Sequence, residues 1–346
     1  MSAGARLQEI WYGPAWRSVP LWPLAWIFGL AVAARRGLYA VGLLRSARIG
    51  VPVIVVGNLT VGGTGKTPVA AWLVRELTRR GHRVGVVLRG YGGRHSGRVR
   101  VAAAGDDAAE VGDEALLHAR NGAHVVVIGA DRVTAARMAE QEGAQIVVCD
   151  DGLQHLHLAR DYEIVVVDAV RGFGNGWLLP AGPMREPARR LERADAVVLT
   201  RRGADDGSRV QPGRPFVAEA RLSPGAAVNL LSGERRELAG FGGERVHALA
   251  AVGNPQAFFA ALRDAGLEVV PHPLPDHATI DPGAPPFPAD ATVLMTEKDA
   301  VKCARYARPG WWYVEFDVSV ERGTARDLLA LVLERAGLTG AGVHLG

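Results

Sequence analysis

The run Gly62-Gly63-Thr64-Gly65-Lys66-Thr67 constrains this chain more than any other stretch. It follows an apolar run at 51–56, and a helical pattern opens behind it over 69–80. Strand, glycine-rich loop and helix, in that order, aim backbone N–H groups and a helix N-terminus at an anion. In this arrangement Lys66 reaches the β- and γ-phosphates of a nucleotide, and the Thr67 hydroxyl sits on Mg²⁺. Gly62, Gly63, Thr64 and Gly65 form the cradle. The strict G-x-x-x-x-G-K-[ST] pattern would begin with glycine at position 60, where this chain has Thr60.

Further apolar runs at 84–88, 125–128, 146–149, 164–167 and 196–200 alternate with helical patterns that open at 111–114 and cover 132–142. That alternation predicts a parallel sheet with right-handed crossovers. A second α/β pattern follows, with strands expected at 246–252, 268–270, 293–296 and 311–316 and helices at 255–265 and 324–336. The fold class read from this is α/β: a P-loop NTPase-like parallel sheet domain at 46–214 and a smaller C-terminal α/β domain at 215–346. Residues 202–214, polar and rich in glycine, read as a linker between them.

The first 45 residues differ from the rest. Residues 1–50 hold six arginines and one glutamate, so the net charge of +4 for the whole chain leaves −1 on the remaining 296 residues. The positive charge is therefore local, which excludes a nucleic-acid-binding field across the protein. No charge falls between Arg17 and Arg35, and the stretch holds Trp22, Trp26, Ile27 and Phe28. Pro20 and Pro23 argue against a helix before Leu24, and the remaining apolar residues to Ala34 are too few to span roughly 30 Å of hydrocarbon. Apolar helix, flanking arginines and tryptophans together predict an N-terminal membrane-associated helical segment at 1–45, anchored at the interface of an anionic leaflet. Two distant cysteines, Cys149 and Cys303, fit a reducing compartment. Arginine outnumbers lysine 37 to 3, with lysine only at 66, 298 and 302, a bias that reads as genomic.

Asp150-Asp151 closes a buried strand, the expected place for a Mg²⁺-binding acid opposite a P-loop, and either carboxylate could be the one that touches the metal. Gln154 and His155 add polar groups at the same edge. Asp113 stands at a helix start, where a carboxylate is equally a cap. His277 follows a strand of the second domain. Together they offer a carboxylate that polarises an imidazole, which takes a proton from a hydroxyl. Arg89 and Arg185 lie in glycine-rich loops that suit guanidinium–phosphate contact. Residues 171–187, rich in Gly and Pro, form a long loop of the kind that is usually functional. Thr296-Glu297-Lys298-Asp299 reads either as a polar contact at the domain junction or as an exposed turn.

In their order these motifs resemble the tetraacyldisaccharide 4'-kinase (lipid A 4'-kinase) family, over most of the chain. The resemblance rests on Gly57-Asn58-Leu59-Thr60 leading into the P-loop, Arg89-Gly90-Tyr91-Gly92 and Gly112-Asp113-Glu114. It continues through Asp150 to His155, Gly174-Asn175-Gly176, the run from Leu179 to Glu186, Asp276-His277 and the stretch from Thr296 to Lys302. Leu153 and Met184 stand where the family usually has Phe and Leu. The resemblance implies ATP- and Mg²⁺-dependent phosphorylation of the 4'-hydroxyl of a tetraacylated glucosamine disaccharide 1-phosphate, giving lipid IVA in lipid A biosynthesis at the cytoplasmic face of a bacterial inner membrane. It implies Asp113 and His277 as the catalytic pair, Lys66 and Thr67 at the nucleotide, and Asp150 and Asp151 at the metal. Asn58, Arg89, Gln154, His155, Asn175 and Arg185 are then the expected substrate or phosphate contacts. The lipid and the membrane surface are the implied partners, with neither nucleic acid nor an obligate protein partner.

A competing reading is a P-loop ATPase switch of the partitioning or metal-insertion type. Many of those carry lysine just before Gly-Gly-x-Gly-Lys-Thr, where this chain has Val61. A GTPase would want [NT]-K-x-D, and Lys298 falls one place late for that.

Overall fold

The computed structural model of the chain describes residues 3–94, 97–202, 210, 213, 215–275, 278, 280–281 and 285–338. The first half contributes strands β1 (Val53–Gly57), β2 (Val84–Leu88), β3 (Arg100–Ala102), β4 (Val125–Ile128), β5 (Ile146–Asp150), β6 (Tyr162–Asp168) and β7 (Ala196–Arg202). The second contributes β8 (Phe216–Asn229), β9 (Arg235–Arg236), β10 (Arg245–Ala250), β11 (Glu268–Pro273), β12 (Val293–Thr296) and β13 (Trp311–Val320). The α-helices are α1 (Ala3–Tyr12), α2 (Trp22–Ala40), α3 (Lys66–Arg79), α4 (Ala108–Val111), α5 (Asp113–Arg120), α6 (Arg132–Gln141), α7 (Pro255–Asp264), α8 (Glu297–Cys303) and α9 (Arg322–Arg335).

Every residue of β1, β2, β4, β5 and β6 is buried. Strands covered on both faces read as unbroken Val/Ile runs, and for that reason β2, β4 and β12 lie at the residues expected from sequence. One sheet contains them all, in the order β11-β10-β12-β13-β8-β7-β6-β1-β5-β2-β4-β3, with β9 pairing β8. From β8 to β4 the neighbours are parallel, and β3 is antiparallel at the edge. The strands β11, β10, β12 and β13 form a second parallel block, which meets β8 antiparallel.

β8 is the strand that both blocks share. Residues 216–222 pair with β7, and residues 220–229 pair with β13. The strand thus overshoots the carboxyl edge of the first block, and the second block hangs from the overshoot with its strands running back. The carboxyl ends of the two blocks face one another. Ligands bind at the carboxyl ends of strands in open α/β sheets, so here two such edges line one cleft. The sequence concealed β8 because Pro224 and Gly225 interrupt its pattern; Pro224 pairs beside a register shift between Val314 and Phe316, where a missing N–H is tolerated. Helix α9 carries Leu328, Leu329 and Val332 into the same core as Ile54, Leu73 and Val86.

Two expectations change. The apolar N-terminal helix is not an eleven-residue piece: α2 runs 19 residues, and a 3₁₀ segment, Ala15–Leu21, leads into it. Pro23 falls in the first turn of α2, where its missing N–H costs nothing. The stretch Ala15–Ala40 is long and apolar enough to cross a membrane by length and composition. Leu24, Trp26, Ile27 and Leu30 are exposed along it, while Trp22 stacks on Trp177 at 4.5 Å between ring centres. The second change concerns Thr296 to Asp299. It is no exposed turn: Thr296 caps α8 by accepting from the Asp299 N–H at 3.2 Å, and Asp299 is fully buried.

Candidate active site

The P-loop joins β1 to α3. Thr60 occupies the glycine position because the chain is extended there: it bridges Met184, with Val61 N–H donating to the Pro183 carbonyl (2.8 Å) and Arg185 N–H to the Leu59 carbonyl (2.7 Å). A β-branched residue suits such pairing. Gly65 is different. It has φ +84°, and a Cβ on it would come within 2.8 Å of Leu222, so only glycine closes this turn. From below, the Thr200 hydroxyl donates to the Thr64 carbonyl at 2.7 Å. The Asn58 amide donates to the Thr64 hydroxyl at 3.0 Å and reaches the Gly62 carbonyl at 3.4 Å. From the second block, Gly253 comes so close that a Cβ there would lie 2.7 Å from the Gly63 nitrogen.

Asp150 ends β5 and is buried; its Oδ2 lies 3.0 Å from His118 Nε2, on the inner face of α5. Its Oδ1 is buried without a hydrogen-bond partner among the described residues. Asp151 has φ +55°, the single non-glycine residue with positive φ among the described residues. Asp is among the few types that adopt this conformation, and such backbone gathers at functional sites. Arg185 donates to the Asp151 carboxylate (3.1 Å) and to the Gln154 side-chain oxygen (3.3 Å). Gln154 in turn donates to Glu186 (3.1 Å), which pairs with Arg36 of α2. The apolar N-terminal helix is thereby tied to the acids by a chain of polar contacts.

All three lysines of the protein converge on two adjacent carboxylates. Lys66 lies 3.8 Å from Glu114, Lys298 lies 3.5 Å from Glu114 and 3.9 Å from Asp113, and Lys302 lies 3.4 Å from Asp113. Burial works against the Lys66 charge, but the carboxylates of Glu114, Asp151 and Asp150 outweigh it and hold its pKa above the ordinary lysine value. Sequence reading put Lys66 at the phosphates but did not place Lys298 and Lys302 beside Asp113.

A cavity of about 750 Å³ opens between the blocks, within the range of small-ligand sites. Lys66, Thr67, Asp150, Asp151 and Glu114 line it from one side, and Asn254, Glu297 and Lys298 from the other. A family model described as tetraacyldisaccharide-1-P 4'-kinase matches residues 17–334. The chain belongs to that family. Tetraacyldisaccharide 4'-kinase of Pseudomonas aeruginosa is 45% identical over 319 residues, covering 92% of this chain and 94% of the relative. The enzyme of the same description from Pseudomonas paraeruginosa is 46% identical over 322 residues, with 92% and 94% covered. A crystal structure of an "apo" form LpxK from Aquifex aeolicus in complex with ATP superposes with a TM-score of 0.77 at 29% identity, over 92% of this chain and 99% of that one.

The P-loop forms one side of this cavity. Arg89, Gln154, His155 and Arg185 stand in its wall, as does Lys66. Burial, aided by Arg132, pushes His155 down to about 4, so its ring is neutral near pH 7. Asn58 and Asn175 stand outside that wall. Asn58 braces the P-loop from beneath, and Asn175 holds its own loop by donating to the Ala181 carbonyl at 2.9 Å. His277 lies outside the described residues, so its distance from Asp113 is not stated; Lys302 donates to the carbonyl of Ala278 at 3.3 Å.

No group of three or more His, Cys, Asp or Glu among the described residues forms a metal cage. Mg²⁺ in kinase sites needs none, because it is bound by one or two carboxylates and by substrate phosphates. The orphaned Asp150 Oδ1, with Thr67 and Asp151 in the same wall, fits that smaller donor set. Sequence reading missed His118, Thr200 and Gly253, which act only through contacts across the fold. Glu297, in the stretch read as a polar contact or an exposed turn, lines the cavity, and its carboxyl is pushed up to about 7 by burial and by Glu315.

Proposed function

We propose that the chain transfers the γ-phosphoryl group of ATP to the 4'-hydroxyl of a tetraacylated glucosamine disaccharide 1-phosphate, giving lipid IVA in lipid A biosynthesis. One observation carries this reading: in a chain of this family, the P-loop lysine, the Asp150–Asp151 pair and Glu114 line a single cleft between two α/β blocks, with Asp113 buried next to Glu114 and 3.9 Å from Lys298 of the opposite wall. Lys66 and the loop N–H groups cradle the β- and γ-phosphates, and Arg185, steered by Asp151, adds positive charge where the transferred group passes. Asp113, paired with His277, accepts the proton of the 4'-hydroxyl in place of the imidazole expected from the sequence. That oxygen bonds to the γ-phosphorus as the bond to the bridging oxygen of ADP breaks. Thr67, Asp150 and Asp151 would hold Mg²⁺, which when bound neutralises phosphate charge. His118 keeps the Asp150 carboxylate turned toward the cleft.

The exposed apolar side of Ala15–Ala40 supports association with the cytoplasmic face of the inner membrane. Its inner side rests on residues 171–187 and brings the lipid bilayer near the acceptor end of the cleft. Residues 46–214, joined by the first half of β8 and by α9 in the same core, serve as the kinase part, and the rest of 215–346 as the wall that faces it across the cleft.

The decisive assay is transfer of phosphate from ATP to a detergent-dispersed tetraacyl disaccharide 1-phosphate, wild type beside Lys66→Ala. Transfer by wild type alone is expected. ATP hydrolysis without phosphorylated lipid would instead assign the cleft to an ATPase switch.

A further inference from the structure

Arginine does nearly all the cationic work in this protein, so each lysine marks a place where a guanidinium does not serve. Lys66 has its known place in the P-loop; Lys298 and Lys302 have none. Both sit on α8, in the second block, and both reach the carboxylate of Asp113 in the first. The two oxygens of Asp113 are differently engaged: Oδ1 accepts from the Glu114 N–H at 2.9 Å, and Oδ2 faces the two ammonium groups. We propose that Lys302, assisted by Lys298, is a positioning residue for phosphoryl transfer, which seats the Asp113 carboxylate at the acceptor hydroxyl and makes that seat depend on α8. This rests on the reading of Asp113 as the proton acceptor.

Lys302 is itself held rigidly. Its ammonium donates to Asp299 Oδ1 at 3.0 Å, and Asp299 Oδ2 accepts from the Thr296 hydroxyl at 2.7 Å and from the Ala251 N–H at 3.0 Å. The helix cap, the end of β10 and the lysine thus form one buried pedestal, the kind of supporting layer that fixes a reacting group. Lysine suits the task for a geometric reason. A guanidinium pairs with both oxygens of a carboxylate at once. An ammonium is a point charge that faces Oδ2 without spanning both oxygens. Lys298 also lies between Asp113 and Glu114, the carboxylate that Lys66 faces. The nucleotide lysine and the acceptor carboxylate are thus braced by one side chain from the opposite block.

A double-mutant cycle tests this, with phosphate transfer to the detergent-dispersed tetraacyl disaccharide 1-phosphate as the readout. Lys302→Met is expected to lower kcat about 10- to 100-fold, and Lys298→Met by less, with KM for ATP unchanged within about twofold. On an Asp113→Ala background, assayed at high enzyme concentration, neither lysine substitution should lower kcat by more than about twofold, because the group they position is gone. Full retention of the lysine effects on that background would overturn the proposal, as would loss of ATP binding in step with kcat. Should Lys302→Met fail to fold, the same cycle with the more exposed Lys298 decides. Wild-type turnover by Asp113→Ala alone would remove the base assignment itself, a failure visible before either lysine is changed.

Discussion

Lys66 and Lys302 are both buried ammonium groups beside the adjacent carboxylates of Glu114 and Asp113, and the chain builds them by opposite routes. Lys66 is placed by its own neighbourhood: β1, a glycine-rich loop and the first turn of α3 leave it nowhere else to point. Lys302 is placed by Asp299, Thr296 and Ala251 and finds Asp113 only because two blocks of sheet meet. The donor end of the cleft is therefore built locally, and the acceptor end exists only when distant parts of the chain are assembled. Nucleotide binding should survive damage to the second block better than phosphoryl transfer does.

Asp113→Ala tests this contrast most severely. Turnover should fall about 10²- to 10⁴-fold, the usual worth of a general base, while the Kd for ATP stays within about threefold. A collapse of ATP affinity, read by calorimetry, would show that the two ends are not separable. His118→Ala comes next. It strips Asp150 Oδ2 of its partner, so we expect apparent Mg²⁺ affinity to weaken about 10- to 100-fold and unfolding to cost about 1–3 kcal/mol less in a denaturant titration. Thr200→Val removes one brace beneath the P-loop. KM for ATP should rise by up to about tenfold with kcat nearly unchanged; a larger loss in kcat would mean that the loop also sets the acceptor geometry.

Glu297→Gln is the mildest change and reads pH. The carboxyl is raised from 4.5 to about 7 in the fold, so the folded protein retains a proton that the unfolded chain releases. Wild type therefore loses stability as pH rises through that window, and the loss is complete above the upper value. The neutral glutamine avoids it. The variant should match wild type near pH 4 and exceed it at pH 8, by up to about 3 kcal/mol, as seen in paired melting curves. Curves that stay parallel at every pH would show that the carboxyl titrates normally.

What the sequence disclosed follows the same division. The P-loop, Asp150 and Asp151, and the buried strands were legible because each is written in consecutive residues. The partners of those groups were not: His118 meets Asp150 from the inner face of a short helix, and Thr200 meets Thr64 from a strand far along the chain. β8 escaped because Pro224 and Gly225 disguise the longest strand in the molecule, and α2 was read too short because Pro23 looked like a break when it is a first-turn residue. Lys298 and Lys302 stood in the sequence as members of the motif stretch from Thr296 to Lys302 and as two of three lysines among forty basic residues, and the fold brings both to Asp113.

The shared strand β8 has a mechanical meaning. Since both blocks are stitched to it along their edges, and α9 returns into the first core, the two walls of the cleft are joined by continuous sheet. One residue added inside β8 would exchange its inward and outward faces and carry α8, with Lys298 and Lys302, away from Asp113 as a body. The aim of the Asp113 carboxylate is thus recorded in the count of residues along a distant strand.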